Sequence, residues 1–196
     1  RFWYREAVSQ RRRVKVVDQG APVQPVQVPV DDAAAEEVGE ERPGCSCPEL
    51  DREDWHEVES DWSDITFVKG STNAVLGVPL GFGGIRGELE RKAARAGAKV
   101  PEDPMFLLGA GRFRRPVMLE VEDAPRGAKD IVFPGGFAFS RLVPAPWGEM
   151  QKVVDQTEAI ATEKYGRKPD DMWVWYLTCR ECSAARNFET LIVAHY

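Results

Sequence analysis

The four cysteines of this chain come as two close pairs, Cys45-x-Cys47 and Cys179-x-x-Cys182. A C-x-x-C turn is a common half of a tetrahedral zinc site. A C-x-C pair can supply the other half, since four thiolates enclose and neutralise a soft divalent ion. With no cysteine outside the pairs, a structural zinc on Cys45, Cys47, Cys179 and Cys182 is a coherent expectation. Reduced thiols, a redox pair and disulfides remain open as alternatives. The redox pair fits least, because Cys179 ends a strand-like run with no βαβ context.

The second pair follows MWVWYL, which puts Trp173, Trp175 and Tyr176 within four residues. An aromatic-lined concavity suits flat apolar ligands through large buried area and ring stacking. Alternate strand residues face opposite sides, so Val174 and Tyr176 share one face and Trp173 and Trp175 the other. Tyr176 is expected to face a groove, where its hydroxyl finds a partner, with at least one Trp in the core. Trp147, at a turn that opens a helix, is the leading aromatic for a ligand. Phe137, Phe139 and Phe82 complete the candidate lining. The two histidines, His56 and His195, have no Ser or Asp partner at a recognisable triad spacing, and His56 reads as a surface or loop residue. The glycine-rich GFGGIRG run at 81–87 lacks the P-loop Lys-Ser/Thr and the dinucleotide spacing, so it reads as a turn.

The elements that must position these residues recur. VPLGFGG at 78–84 and VPAPWGE at 143–149 match at an offset of 65: Val78 with Val143, Pro79 with Pro144, Phe82 with Trp147, Gly83 with Gly148. Each copy is preceded by a strand-like run and followed by a helical pattern. The first pattern is Ile85, Leu89, Ala93 and Ala96, closed by Gly97; the second is Met150, Val153, Val154, Thr157, Ile160 and Ala161, closed by Gly166. Two further strand-like runs close each copy, VPEDPMFLL then PVMLEVE, and KPDDMWVWYL then ETLIVAHY. The order strand, helix, strand, strand, twice over, predicts an α+β domain with pseudo-two-fold symmetry and a central ligand cleft. The boundaries are an N-terminal arm over 1–44 and one domain over 45–196, with repeat one at about 62–124 and repeat two at about 131–196. The arm carries Phe2, Trp3 and Tyr4, a Pro-rich APVQPVQVPV stretch and an acidic run, and offers a route to a homodimer.

Composition narrows the function classes. A chain of 196 residues can bury one sizeable core. Net charge is −6, which gives a nucleic-acid partner no overall electrostatic support. No run approaches the ~18 apolar residues of a membrane span, and the first residues lack a signal-peptide apolar core. A cytoplasmic protein is therefore expected.

The stretch GGFAFSRLVPAPWGEMQKVVDQTEAIATEKYGRKPDDMWVWYL, 135–177, resembles the GyrI-like small-molecule-binding superfamily. The resemblance extends over about 55–196 and rests on the order of the motifs. CSCPELDREDWHEVESDWSDITFV and YLTCRECS are similar to a hydrolase-type subgroup, members of which open strained cyclopropane rings by adding water. Many drug-binding relatives carry a Glu two residues before the strand Tyr; here Val174 stands there, so a sensor for cationic ligands is disfavoured.

The resemblance implies a planar hydrophobic small molecule as ligand, hydrolysis as activity, and detoxification or self-resistance as role. Water addition needs a base that orients the water and a donor for the charge that develops on the departing carbonyl system. Tyr176, Glu120 and Glu149 are the expected catalytic groups, with Tyr176 paired to one of the carboxylates. No catalytic cofactor is expected. A non-catalytic binding or sensor module, or a protein-interaction module, is the alternative.

Overall fold

The computed structural model describes residues 47–75, 78–146, 148–179 and 181–196. The arm over 1–44, Cys45 and Trp147 therefore lie outside the described residues, as does the side chain of Phe82. The chain runs α1 (Arg52–Trp55), β1 (Val58–Asp61), β2 (Thr66–Val75), β3 (Val78–Pro79), α2 (Phe82–Arg95), β4 (Phe106–Gly109), β5 (Arg114–Val121), β6 (Ile131–Val132), β7 (Phe137–Pro144), α3 (Met150–Tyr165), β8 (Asp171–Tyr176) and β9 (Glu189–His195). It is an α+β fold. All strand pairs are antiparallel, in the order β1-β7-β9-β8-β4-β5-β2-β3, with β6 pairing β2 off this path.

The expected repeat is present as β2-α2-β4-β5 and β7-α3-β8-β9. The halves join where β4 pairs β8, Leu108 opposite Val174 and Gly109 opposite Trp173. A shift of 65 residues carries Leu108 to Trp173 and Gly109 to Val174, so the two pairs exchange and the pseudo-two-fold axis passes between them. The shift is not constant. Val143 and Pro144 finish β7, whereas Val78 and Pro79 form a separate strand, β3, folded back onto Val75 and Ala74. The motif that signals the repeat thus takes different local structures in its two copies.

The helices follow their apolar spacing. Ile85, Leu89 and Ala93 of α2 are buried against Val68, Val117 and Leu119. Val153 of α3 packs on Val174 and Ile192, and Ala161 packs on Phe139 and Ala194. Gly166 closes α3 in the left-handed region at φ 68°, where a glycine pays no Cβ penalty, and its N–H donates to the Thr162 carbonyl. Both helices cover one face of the sheet.

The other face carries a second core built on Phe67, Leu107, Met118, Trp173, Trp175 and Leu191. Trp55 of α1 and Trp62, just after β1, pack against it, and no periodicity in the sequence announces either element. β1 pairs β7, with Val58 opposite Ser140. The Ser140 hydroxyl donates to the Trp55 carbonyl at 2.9 Å. Trp55 then meets Trp175 edge-on at 6.0 Å between centroids, and Trp62 lies 5.3 Å from Phe67. Each indole removes roughly 150–250 Å² from water, a large contribution for so short a segment.

Candidate functional site

The halves differ most between their last two strands. In repeat one, residues 110–113 connect β4 to β5; in repeat two, residues 177–188 connect β8 to β9. The longer connection builds a cleft. Tyr176 ends β8 opposite Thr190 of β9, and both face the helix side. With Ala145, Thr178, Cys179, Ser183 and Phe188 they line a space of about 310 Å³. The Phe188 carbonyl accepts from the Ala145 N–H at 3.1 Å and the Thr190 hydroxyl at 2.9 Å, which ties the connection to the end of β7. Asn187 and Phe188 both sit at positive φ, 48° and 54°, so strained backbone borders the cleft.

Tyr176 reaches this place by strand parity. Trp173 and Trp175 belong to the core with Trp55 and Trp62, so Val174 and Tyr176 turn toward α2 and α3. Of the two expected carboxylate partners, Glu120 does not pair with Tyr176 in this geometry, because the two lie on opposite faces of the sheet. Burial pushes the Tyr176 phenol above its ordinary pKa of 10.0, against the opposing charge and hydrogen bond of Arg115. The phenol therefore stays protonated at neutral pH and can donate. Arg115 is held in turn by its Nε donating to the Gly109 carbonyl at 2.7 Å.

Glu120 lies on the opposite face beside Met118, and its Oε2 accepts from the Met105 N–H at 2.9 Å. The sheet separates it from Tyr176. Glu149 stands at the N-terminus of α3, exposed, with its carboxylate 4.0 Å from the Lys152 ammonium. It is the N-cap residue of α3, which lies on the Tyr176 side of the sheet, and is not among the residues that line the cleft. Phe137 and Phe139 pack beneath α3 around Tyr165; Phe137 also stacks on Tyr196 at 4.9 Å. Trp173 and Trp175 are 7% and 4% exposed in the opposite core. Of the candidates with described side chains, Tyr176 and Cys179 line the cleft.

Sequence reasoning passed over Thr178, Ser183, Phe188, Thr190 and Arg115. One signal was available: the connection after β8 is much longer than its counterpart after β4. The histidines lie elsewhere. His195 Nε2 is 2.9 Å from the Gly135 carbonyl beside Trp62, and His56 Nδ1 is 2.8 Å from the Leu142 carbonyl.

At the rim of the cleft the sulfurs of Cys47, Cys179 and Cys182 all lie within 4.8 Å of one another. The Cys179 N–H donates to the Cys47 sulfur at 3.1 Å. No disulfide joins these three cysteines to one another. Among the described residues no helix is long and apolar enough to cross a membrane.

Compared with known proteins, residues 37–194 match the family described as Bacterial hydrolase. No curated protein matches the chain.

Proposed function

This chain belongs to the bacterial hydrolase family, and on that premise we propose that it hydrolyses a planar hydrophobic small molecule held in the cleft at the end of β8. The observation that carries the reading is the partly buried Tyr176 phenol, set beside Arg115 in a cleft with further hydroxyls from Thr178, Ser183 and Thr190. A neutral phenol next to a guanidinium is suited to receive charge that develops on a carbonyl oxygen.

The finer reading is the GyrI-like one, water addition that opens a strained ring conjugated to a carbonyl. The water oxygen bonds to a ring carbon and the strained carbon–carbon bond breaks. The electron pair moves to the carbonyl oxygen, which Tyr176 stabilises as a donor. Glu149, on the same side of the sheet, takes the proton from the attacking water and returns it to the product. Phe188 and Tyr176 supply flat apolar surface for the ligand. The role that fits is detoxification.

The test is turnover of cyclopropane-bearing enones followed by mass spectrometry for the water adduct. Replacing one such donor typically costs about 10²-fold in rate, so Tyr176→Phe is expected to fall by that order with binding retained. Glu149→Gln should also lose turnover. Equal rates in the wild-type and both variants would rule out the assignment of roles. Tight ligand binding with no adduct would favour a non-catalytic binding module.

A further inference from the structure

We infer that Cys47, Cys179 and Cys182 hold a zinc ion that pins the wall of the cleft. Three sulfurs mutually within 4.8 Å is the first observation. Zinc–thiolate bonds of about 2.3 Å in a tetrahedron put neighbouring sulfurs about 3.8 Å apart, so three sulfurs within 4.8 Å of one another lie close to the spacing that one zinc ion requires. A disulfide needs sulfurs at about 2.05 Å and would leave the third thiol over.

The backbone supplies the second observation. The Cys179 N–H donates to the Cys47 sulfur at 3.1 Å, which sets Cys47 directly against the C-x-x-C segment from 132 residues away. The Ser183 N–H donates to the Cys179 carbonyl at 3.0 Å and the Arg186 N–H to the Cys182 carbonyl at 3.0 Å, which folds the C-x-x-C segment into a turn. Both sulfurs of that segment thereby meet Cys47 from one side.

The position gives the metal a task. Arg186 Nη2 donates to the Pro48 carbonyl at 2.9 Å, so residues 47–48 are already tethered to the connection after β8. Cys179 and Ser183 of that connection line the cleft. The ion would lock the connection to the segment that leads into α1, and with it the strained Asn187–Phe188 backbone. It is a positioning device and takes no part in bond making.

The full chain, purified in a reductant without chelator, is expected to carry about one zinc by elemental analysis. Cobalt exchanged into it should give thiolate charge-transfer absorption in the near ultraviolet and the red bands of a tetrahedral ion. Cys47→Ser and Cys182→Ser, which spare the cleft-lining Cys179, should each lower zinc affinity at least tenfold. If those variants do not fold, the cobalt spectrum of the wild-type decides alone. Zinc below ~0.2 per chain with no cobalt–thiolate band would overturn the site, since a closed thiolate set binds tightly. So would a mass showing a disulfide among these cysteines in the freshly reduced protein. Metal content is read independently of turnover, so a loaded but inactive protein would uphold this site and count against the hydrolytic reading.

Discussion

The Trp173 ring lies across Gly109, its partner in the strand pair at the pseudo-two-fold axis. A Cβ on Gly109 would stand 2.9 Å from Trp173 Cζ3 and 2.6 Å from Pro116 Cγ. The bare glycine is what lets an indole cover the seam between the repeats. On the opposite side of the same strand, the Gly109 carbonyl accepts from Arg115. One residue thus serves the Trp core on one face and, through Arg115, the phenol in the cleft on the other.

Gly109→Ala should destabilise the fold by about 1–3 kcal/mol, the usual cost of overpacking a closed core. For a chain of this size each kcal/mol lowers the melting temperature by about 2–4 °C. Calorimetry on the variant checks this. A melting temperature equal to the wild-type's would mean that the ring moves aside at no cost and that the close approach is not a constraint.

Trp55→Ala tests the segment that closes the second core. Trp55 is 7% exposed and meets Trp175 edge-on. Its truncation should cost about 3–5 kcal/mol, with Trp55→Phe recovering part of the loss. Urea midpoints give the comparison. A loss under about 1 kcal/mol for the alanine variant would show α1 to be an ornament of the fold.

The two long helices, α2 and α3, and six of the nine strands among the described residues were legible because their signals are local. Ile85, Leu89 and Ala93 declare the buried stripe of α2, and Gly166 declares the end of α3. What was not legible is which face of each strand meets which layer. Parity separates Trp173 and Trp175 from Val174 and Tyr176, but the choice between faces is made by Trp55 and Trp62, far away in the chain. In β5 the same alternation puts Met118 and Glu120 on one face and Val117 and Leu119 on the other. The pairing of Tyr176 with Glu120 fails because alternation within one strand says nothing of how β5 and β8, separated by β4, face each other. The cysteines show the reverse case. Their spacing suggested a cluster, and a contact across 132 residues joins Cys179 to Cys47.

Arg115→Met should raise the Tyr176 phenol further. Burial already holds its pKa above 10.0, and the Arg115 charge and hydrogen bond are the groups that oppose it. Ultraviolet titration of the wild-type minus Tyr176→Phe isolates this phenol, and the same difference in the Arg115→Met background should move to higher pH. A shift to lower pH would mean that Arg115 is not the group that favours the phenolate. If the phenol acts as a donor, activity should hold on the alkaline side up to the onset of this titration.

His56 should make the protein sensitive to mild acid. Its Nδ1 lies 2.8 Å from the Leu142 carbonyl and its Nε2 lies 3.0 Å from Arg52 Nη2. Both are satisfied by the neutral ring, with Nδ1–H donating and Nε2 accepting from the guanidinium. Protonation would set an N–H⁺ against that cation. Burial first, then Arg52, lower the pKa below 6.5, outweighing the Leu142 hydrogen bond and the Glu57 charge, while Arg141 adds to the lowering. A group with a lowered histidine pKa binds protons more readily unfolded than folded. Its contribution is full above pH 6.5, shrinks as pH falls through 6.5, and stops changing once the folded pKa is passed. Carboxylates act in a lower window. Burial raises Glu59, but its hydrogen bonds to Lys164 and Tyr165 and the Lys164 charge outweigh that and keep it below 4.5. Urea midpoints across the window just under pH 6.5 should therefore fall with acid in the wild-type and stay flatter in His56→Gln, whose amide can still donate to Leu142. Parallel slopes in the two proteins would assign the acid sensitivity to another group.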